Sequence, residues 1–228
     1  MKPLHRILVL LIFISSTLAL TAKKGISTEK PTMIQGAHIS FDLFSSLNVF
    51  SPRWRIGYIQ TIDPKWKAGI NLGYGNKASS YTYFLNHFEE NYKLWEIRPE
   101  IYKVFNYNGK TEKYLSVELF YINHTDVFHN WYYYPREGGE ISFDKVDFRR
   151  QKYGFNCNVG EFIFIKNGFS INIFTGLGLR MRSSSFTNIV NPRSTETFTD
   201  MFDFNEYREK EGLDPGFSYS LGLKLIFL

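Results

Sequence analysis

Along positions 169–182 apolar and polar side chains alternate one for one. Phe169, Ile171, Ile173, Leu177, Leu179 and Met181 share one face, interrupted only by Thr175. Ser170, Asn172, Gly176, Gly178, Arg180 and Arg182 share the other, joined there by Phe174. A period of two marks a strand whose faces meet different surroundings. The pattern returns at the end of the chain, where Phe217, Tyr219, Leu221, Leu223, Leu225 and Phe227 alternate with Ser218, Ser220, Gly222 and Lys224. Six further segments follow the same rule, at about 37–45, 53–61, 66–74, 94–105, 114–123 and 152–165. Eight strands are therefore predicted. Pro99, in 94–105, has no N–H for a sheet ladder, which predicts a bulge nearby. The apolar phase of 152–165 changes near Gly160-Glu161, which predicts another. Segments of about ten residues suit tilted strands that cross a membrane.

The connections alternate in length. Short links with turn chemistry fall at 63–65 (Asp-Pro-Lys), at 106–113 around Asn108-Gly109, and at 166–168 (Lys-Asn-Gly). Long ones are expected at about 75–93, 124–151 and 183–216. Only 46–52 is short where a long link belongs. Short turns at one end and long loops at the other are how outer-membrane barrels are built.

The N-terminus adds a location. Lys2 and Arg6 precede an apolar run over 7–20, broken by Ser15, Ser16 and Thr17, and Leu20-Thr21-Ala22 offers a cleavage site. The run of about 14 residues is too short for a helical span, which needs ~20, so 1–22 reads as a cleaved signal peptide. No cysteine follows it, which excludes a lipoprotein anchor. Residues 23–35 read as a polar periplasmic tail and 36–228 as the barrel. The chain of 228 residues fits one such domain. Its formal charge of +5 falls to +3 once Lys2 and Arg6 leave, too little to call for nucleic acid. An aromatic content of 18% excludes intrinsic disorder, and a single cysteine excludes an internal disulfide.

Alternation alone does not say which face points outward, and a soluble lipocalin-like binder would bury its apolar stripe. The membrane orientation follows from three features: small Gly, Ser and Asn residues on the polar face, aromatics such as Trp54, Trp66, Trp95, Phe169, Phe217 and Phe227 near strand ends, and an aromatic in the terminal dipeptide Phe227-Leu228. Strand-bearing stretches of this kind include WEIRPEIYKVF at 95–105, FSINIFTGLGLRMRS at 169–183 and PGFSYSLGLKLIFL at 215–228. Here the chain resembles the small eight-stranded outer-membrane barrels of the OmpA/OmpX type, and a functionally uncharacterised family of such barrels. The resemblance implies an all-β, eight-stranded antiparallel transmembrane up-and-down barrel in a Gram-negative outer membrane. It implies contact with membrane lipid and lipopolysaccharide, and with the insertion machinery during assembly. It supplies no catalytic residue.

With the apolar face outward, the inward face collects Asp42, Glu96, Glu100 and Glu118 against Arg55, Lys67, Arg98, Arg180 and Lys224. Eight strands leave an interior just wide enough for side chains, and buried charges there must be paired. A salt-bridge network closing the lumen is the expectation; a narrow ion or proton path is the alternative. His38, Ser40 and Asp42 share one face of the first strand, as residues of an outer-membrane lipid-modifying enzyme would. Successive same-face residues stand ~7 Å apart, however, so one strand does not assemble a hydrogen-bonded triad. No catalytic residue is assigned. His124, Asp126 and His129 open the second long link without the cysteines or acidic cluster of a metal site, so no metal and no cofactor is assigned. Asp200, Asp203, Glu206, Glu209, Glu211 and Asp214 make the third long link acidic but lack EF-hand spacing. Cys157 alternates with Phe155 and Val159 on the apolar face.

The second long link also concentrates Phe128, Trp131, Tyr132, Tyr133 and Tyr134, close to Arg136, Arg149 and Arg150. Aromatics and Arg carry binding hot spots, so this cluster is the candidate for recognising a surface glycan, a lipopolysaccharide head group or a protein partner. Packing over the barrel mouth accounts for the same residues without recognition. The expected function is a non-enzymatic structural or interaction role at the cell surface.

Overall fold

Most strands pair with the next one along the chain, as antiparallel hairpins do where the link is short. The structure, a computed structural model, describes residues 36–48, 51–79, 91–136, 139–166, 168–195 and 210–227. It contains β1 (Ala37–Asp42), a short helix α1 (Leu43–Ser46), β2 (Trp54–Asp63), β3 (Trp66–Asn76) and β4 (Lys93–Tyr107). β5 (Thr111–Tyr133), β6 (Glu140–Lys166), β7 (Phe169–Val190), β8 (Arg193–Thr195) and β9 (Gly212–Phe227) complete it. All pairings between the strands are antiparallel. Hydrogen bonds run from β1 through β2, β3, β4, β5, β6, β7 and β9 back to β1, a closed ring of eight. β8 stands outside it, paired with 140–142 of β6. The ring is uneven: β1 has 6 residues and β6 has 27.

Two of the turns show why the register is fixed. The Asp63 carboxylate accepts from the backbone N–H of Lys65 and Trp66 at 2.7 and 3.0 Å, an Asx-type turn. The Asn108 side-chain oxygen does the same for Lys110 and Thr111, with Gly109 at φ +83° supplying the left-handed step.

Four expectations need correction. The segment 124–151 is not a long loop: β5 and β6 continue through it as one paired hairpin, from His124↔Arg150 to Tyr133↔Ile141. Likewise 183–216 begins as strand, since β7 runs on to Val190. A polar outer face and an inner apolar series that changes phase across Asn130 hid these extensions. Third, the irregularity does not sit at Pro99 itself: β4 keeps one register with β5 from Ile97↔Tyr121 to Val104↔Tyr114, and the register shifts between Val104 and Asn106. Fourth, no register shift occurs at 160–161 either. Phe162 simply faces inward, where the sequence pattern expects only polar side chains. The signal peptide, the tail, most of 75–93 and the acidic residues 200–209 lie outside the described residues.

The inward aromatics make two cores. One joins Ile59, Tyr102, Val104, Tyr114, Phe162, Phe174 and Ile226 towards the short-turn end of the ring. The other joins Phe128, Tyr133, Phe143, Val146, Phe148 and Phe186 between the extended parts of β5, β6 and β7. Charged residues fill the interior between them.

Candidate functional site

Inward positions recur every second residue, so each strand hands a column of side chains to the lumen. Nearest the short-turn end, Lys67 pairs with Glu112 at 2.8 Å, and both are fully buried. The Lys67 ammonium also lies 5.5 Å from the centre of the Phe162 ring. The next layer is built on Glu100. It pairs with Lys224 at 3.2 Å and accepts hydrogen bonds from Tyr102 Oη and Ser116 Oγ, each at 2.6 Å. Tyr114 shares hydrogen bonds with the Asn172 amide across the lumen.

The third layer is a chain of ion pairs. Asp42 accepts from Arg55 Nη1 at 2.5 Å, and Arg55 Nε donates to Glu96 Oε1 at 2.6 Å. Arg53 Nε lies 2.7 Å from the same oxygen. On the other side of Glu96, Arg98 donates to Oε2 at 2.8 Å and reaches on to Glu118 at 2.7 Å. Asn156 donates to Glu118 at 3.0 Å. Asp42, Glu96 and Glu118 thus face Arg53, Arg55 and Arg98, three charges of each sign. Balance at this depth is required, because an unpaired buried ion costs several kcal/mol (roughly).

Of the nine charged residues expected to face inward, Asp42, Arg55, Lys67, Glu96, Arg98, Glu100, Glu118 and Lys224 are buried and ion-paired. Arg180 also faces inward but is only half-buried. Sequence reasoning missed Arg53, Glu112 and Lys152. Each shares the parity of inward neighbours (Arg55, Tyr114 and Asn156); Arg53 and Lys152 open the segments 53–61 and 152–165, and Glu112 lies two residues before 114–123, so carrying the alternation through the segment ends would have found them.

His38, Ser40 and Asp42 do lie on one inner face, all buried. Asp42 is committed elsewhere: besides Arg55 it accepts from Ser45 N at 3.0 Å and caps α1. His124 Nε2 and Asp126 lie 3.5 Å apart, and His124 packs between Tyr92 and Phe148. His129 is exposed. Among the described residues no group of three His, Cys, Asp or Glu is placed to hold a metal ion. Cys157 is exposed on the outer face.

The five candidate recognition aromatics are divided between two faces. Phe128 and Tyr133 are buried in the second core. Trp131 stacks on Tyr132 with ring centres 5.3 Å apart, and Tyr132 meets Tyr134 edge-on at 5.7 Å. Asn130, at φ +49°, lies between Phe128 and Tyr133, where the inward parity changes from even to odd positions. Of the five, Trp131, Tyr132 and Tyr134 lie outside that core. No protein-family model, curated protein or solved structure matches this chain.

Proposed function

We propose that the chain is an OmpA/OmpX-type outer-membrane barrel, exported with a cleaved signal peptide. Its lumen is closed by charge pairing, and its role is non-enzymatic contact at the cell surface. The outer face carries the reading. Every strand of the ring exposes large apolar side chains there: Ile39, Ile56, Leu72, Trp95, Val117, Phe155, Leu177 and Tyr219. A soluble monomer rarely exposes a patch above a few hundred Å² (roughly), and this one encircles the ring. A lipocalin-like binder would carry the same stripe inside.

On β5, β6 and β7 the band also ends together, while on β9 it reaches one step further to Leu213, opposite Ser183. Tyr121, Tyr153, Met181 and Pro215 are opposite one another across β5, β6, β7 and β9. One step beyond, Asn123, Gln151 and Ser183 take their places, followed by Thr125, Arg149 and Ser185. From Phe169 to Met181 the chain rises about 40 Å at ~3.3 Å per residue, or about 30 Å once tilted by ~40°. That matches a bilayer core of ~30 Å. Beyond it, β5, β6 and β7 stand as a wet wall carrying Trp131, Tyr132 and Arg149. That wall is the surface offered to lipopolysaccharide head groups, a glycan or a partner protein.

The experiment is a gel of unboiled and boiled outer-membrane fractions probed for this chain. Faster migration without boiling is expected from a detergent-resistant barrel. A soluble product with no shift would overturn the membrane reading.

A further inference from the structure

Lys152 enters the lumen from β6 without meeting a carboxylate. Among the described residues it makes no hydrogen bond and no ion pair. The charged groups that act on it are Arg150, Arg180, Arg53 and Arg182, all of its own sign. Each of those arginines has a partner of its own. Arg53 lies 2.7 Å from Glu96, and Arg182 pairs with Asp214 at 2.9 Å. Arg180 is drawn to the same Asp214, and Arg150 donates to Ser184 Oγ at 3.3 Å. The nearby carboxylates Asp42, Glu96 and Glu118 are taken up by Arg53, Arg55 and Arg98. An ammonium held among guanidinium groups, with no carboxylate in reach, calls for a counter-ion from outside the chain.

The side chain has room to receive one. Lys152 is partly buried and lines a cavity of about 230 Å³. One water needs ~10–15 Å³ of such space, so an ion of phosphate size fits with part of its hydration. A whole-ligand pocket usually measures about 300–1,000 Å³, so a larger molecule would enter only in part. Ser218 of β9 lines the same cavity, and its hydroxyl makes no hydrogen bond among the described residues. Lys152 also stands where the outer face turns polar, one residue past Tyr153 and next to Gln151. An ion therefore has only a short way to come from water.

We propose that this cavity binds a small oxyanion, of the phosphate or sulfate kind, against the Lys152 ammonium. Three N–H donors and a full charge on Lys152 match several acceptor oxygens on one ion. The Ser218 hydroxyl adds a neutral donor to the same space. The site draws on the charges of the lumen and needs no membrane, so its test is separate from the gel shift.

The test uses the full chain refolded in dodecyl maltoside, its folded fraction read by circular dichroism. Calorimetric titrations compare inorganic phosphate, sulfate, glycerol 3-phosphate and chloride at one ionic strength. At least one of the oxyanions should saturate at one per chain and bind about tenfold or more tighter than chloride. Preference for glycerol 3-phosphate over inorganic phosphate would assign the site to a phosphorylated head group, and the reverse order to the free ion; either supports the proposal. Lys152→Gln should weaken the binding by about tenfold or more, as loss of one charge-assisted contact does, while Lys152→Arg should keep most of it. The preferred anion should also raise the urea midpoint of the wild type over that in chloride, and leave Lys152→Gln where it was. Chloride binding as tightly as every oxyanion would overturn the proposal. So would an equal rise of the midpoint in Lys152→Gln, which is the mark of a general salt effect.

Discussion

Glu96 holds the centre of the lumen, and replacing it with Gln keeps its shape while removing its charge. Three guanidinium groups surround it: Arg55 and Arg98 donate to it at 2.6 and 2.8 Å, and Arg53 lies at 2.7 Å. At an effective dielectric of ~20, opposite charges ~4 Å apart attract by about 4 kcal/mol, so the gross attraction is about 12 kcal/mol. Mutual repulsion of the arginines and the cost of drying the carboxylate offset most of that. The measured scale for removing one member of a buried ionic network is about 3–5 kcal/mol, and that is the expected loss for Glu96→Gln. The assay is urea unfolding of the refolded barrel in phospholipid vesicles, followed by tryptophan fluorescence. Arg53→Gln added to Glu96→Gln restores equal numbers of charges, so the pair should cost less than the two single changes together by about 1–3 kcal/mol. A loss below about 1 kcal/mol for Glu96→Gln, or strict additivity in the double variant, would refute the charge-balance argument.

Leu177→Arg, at a position 67% exposed on the outer face, should lower stability in vesicles by about 2–4 kcal/mol, while Ser183→Arg, beyond the polar rim, should cost about 0–1. Equal losses in the two unfolding curves would remove the assigned boundary. Phe162→Ala empties the aromatic core beside Tyr102 and Tyr114 and should cost about 3–5 kcal/mol in the same assay; an unchanged midpoint would show that this core is not close-packed. At Gly222 an added Cβ collides with the ring of Phe174, so Gly222→Ala should destabilise by about 1–3 kcal/mol, whereas a neutral result would mean that the ring has room to move. In planar bilayers the wild-type chain should pass no steady single-channel current, because paired charges and aromatics fill its lumen; a stable conductance would contradict the closed lumen.

The eight strands of the ring were legible because each crosses two different surroundings, and a period of two records that directly. Parity then placed eight buried charged residues on the inner face before any contact was known. Parity also held the signal for Arg53, Glu112 and Lys152, which lay at or beyond strand ends drawn from apolar residues alone. The same reliance on apolar residues turned the far halves of β5 and β6 into a loop. There the outer face carries Asn123, Thr125, Gln151 and Arg149, and the aromatic core behind it is out of phase across Asn130.

What the sequence determined by itself was therefore local: which residues alternate, where the turns bind their own backbone, and which charges share a face. Only the tertiary structure decided which charge meets which. Arg55 and Glu96, 41 residues apart, and Glu100 and Lys224, 124 apart, are brought together by closure of the ring. The short pairing of β1 with β9, from Lys224 to Phe227 alone, was likewise invisible, since it depends on β1 ending earlier than the strand it joins. Periodicity reports the surroundings of each strand along its own length. Register, closure and gaps are relations between strands, and these are set by packing across the whole sheet.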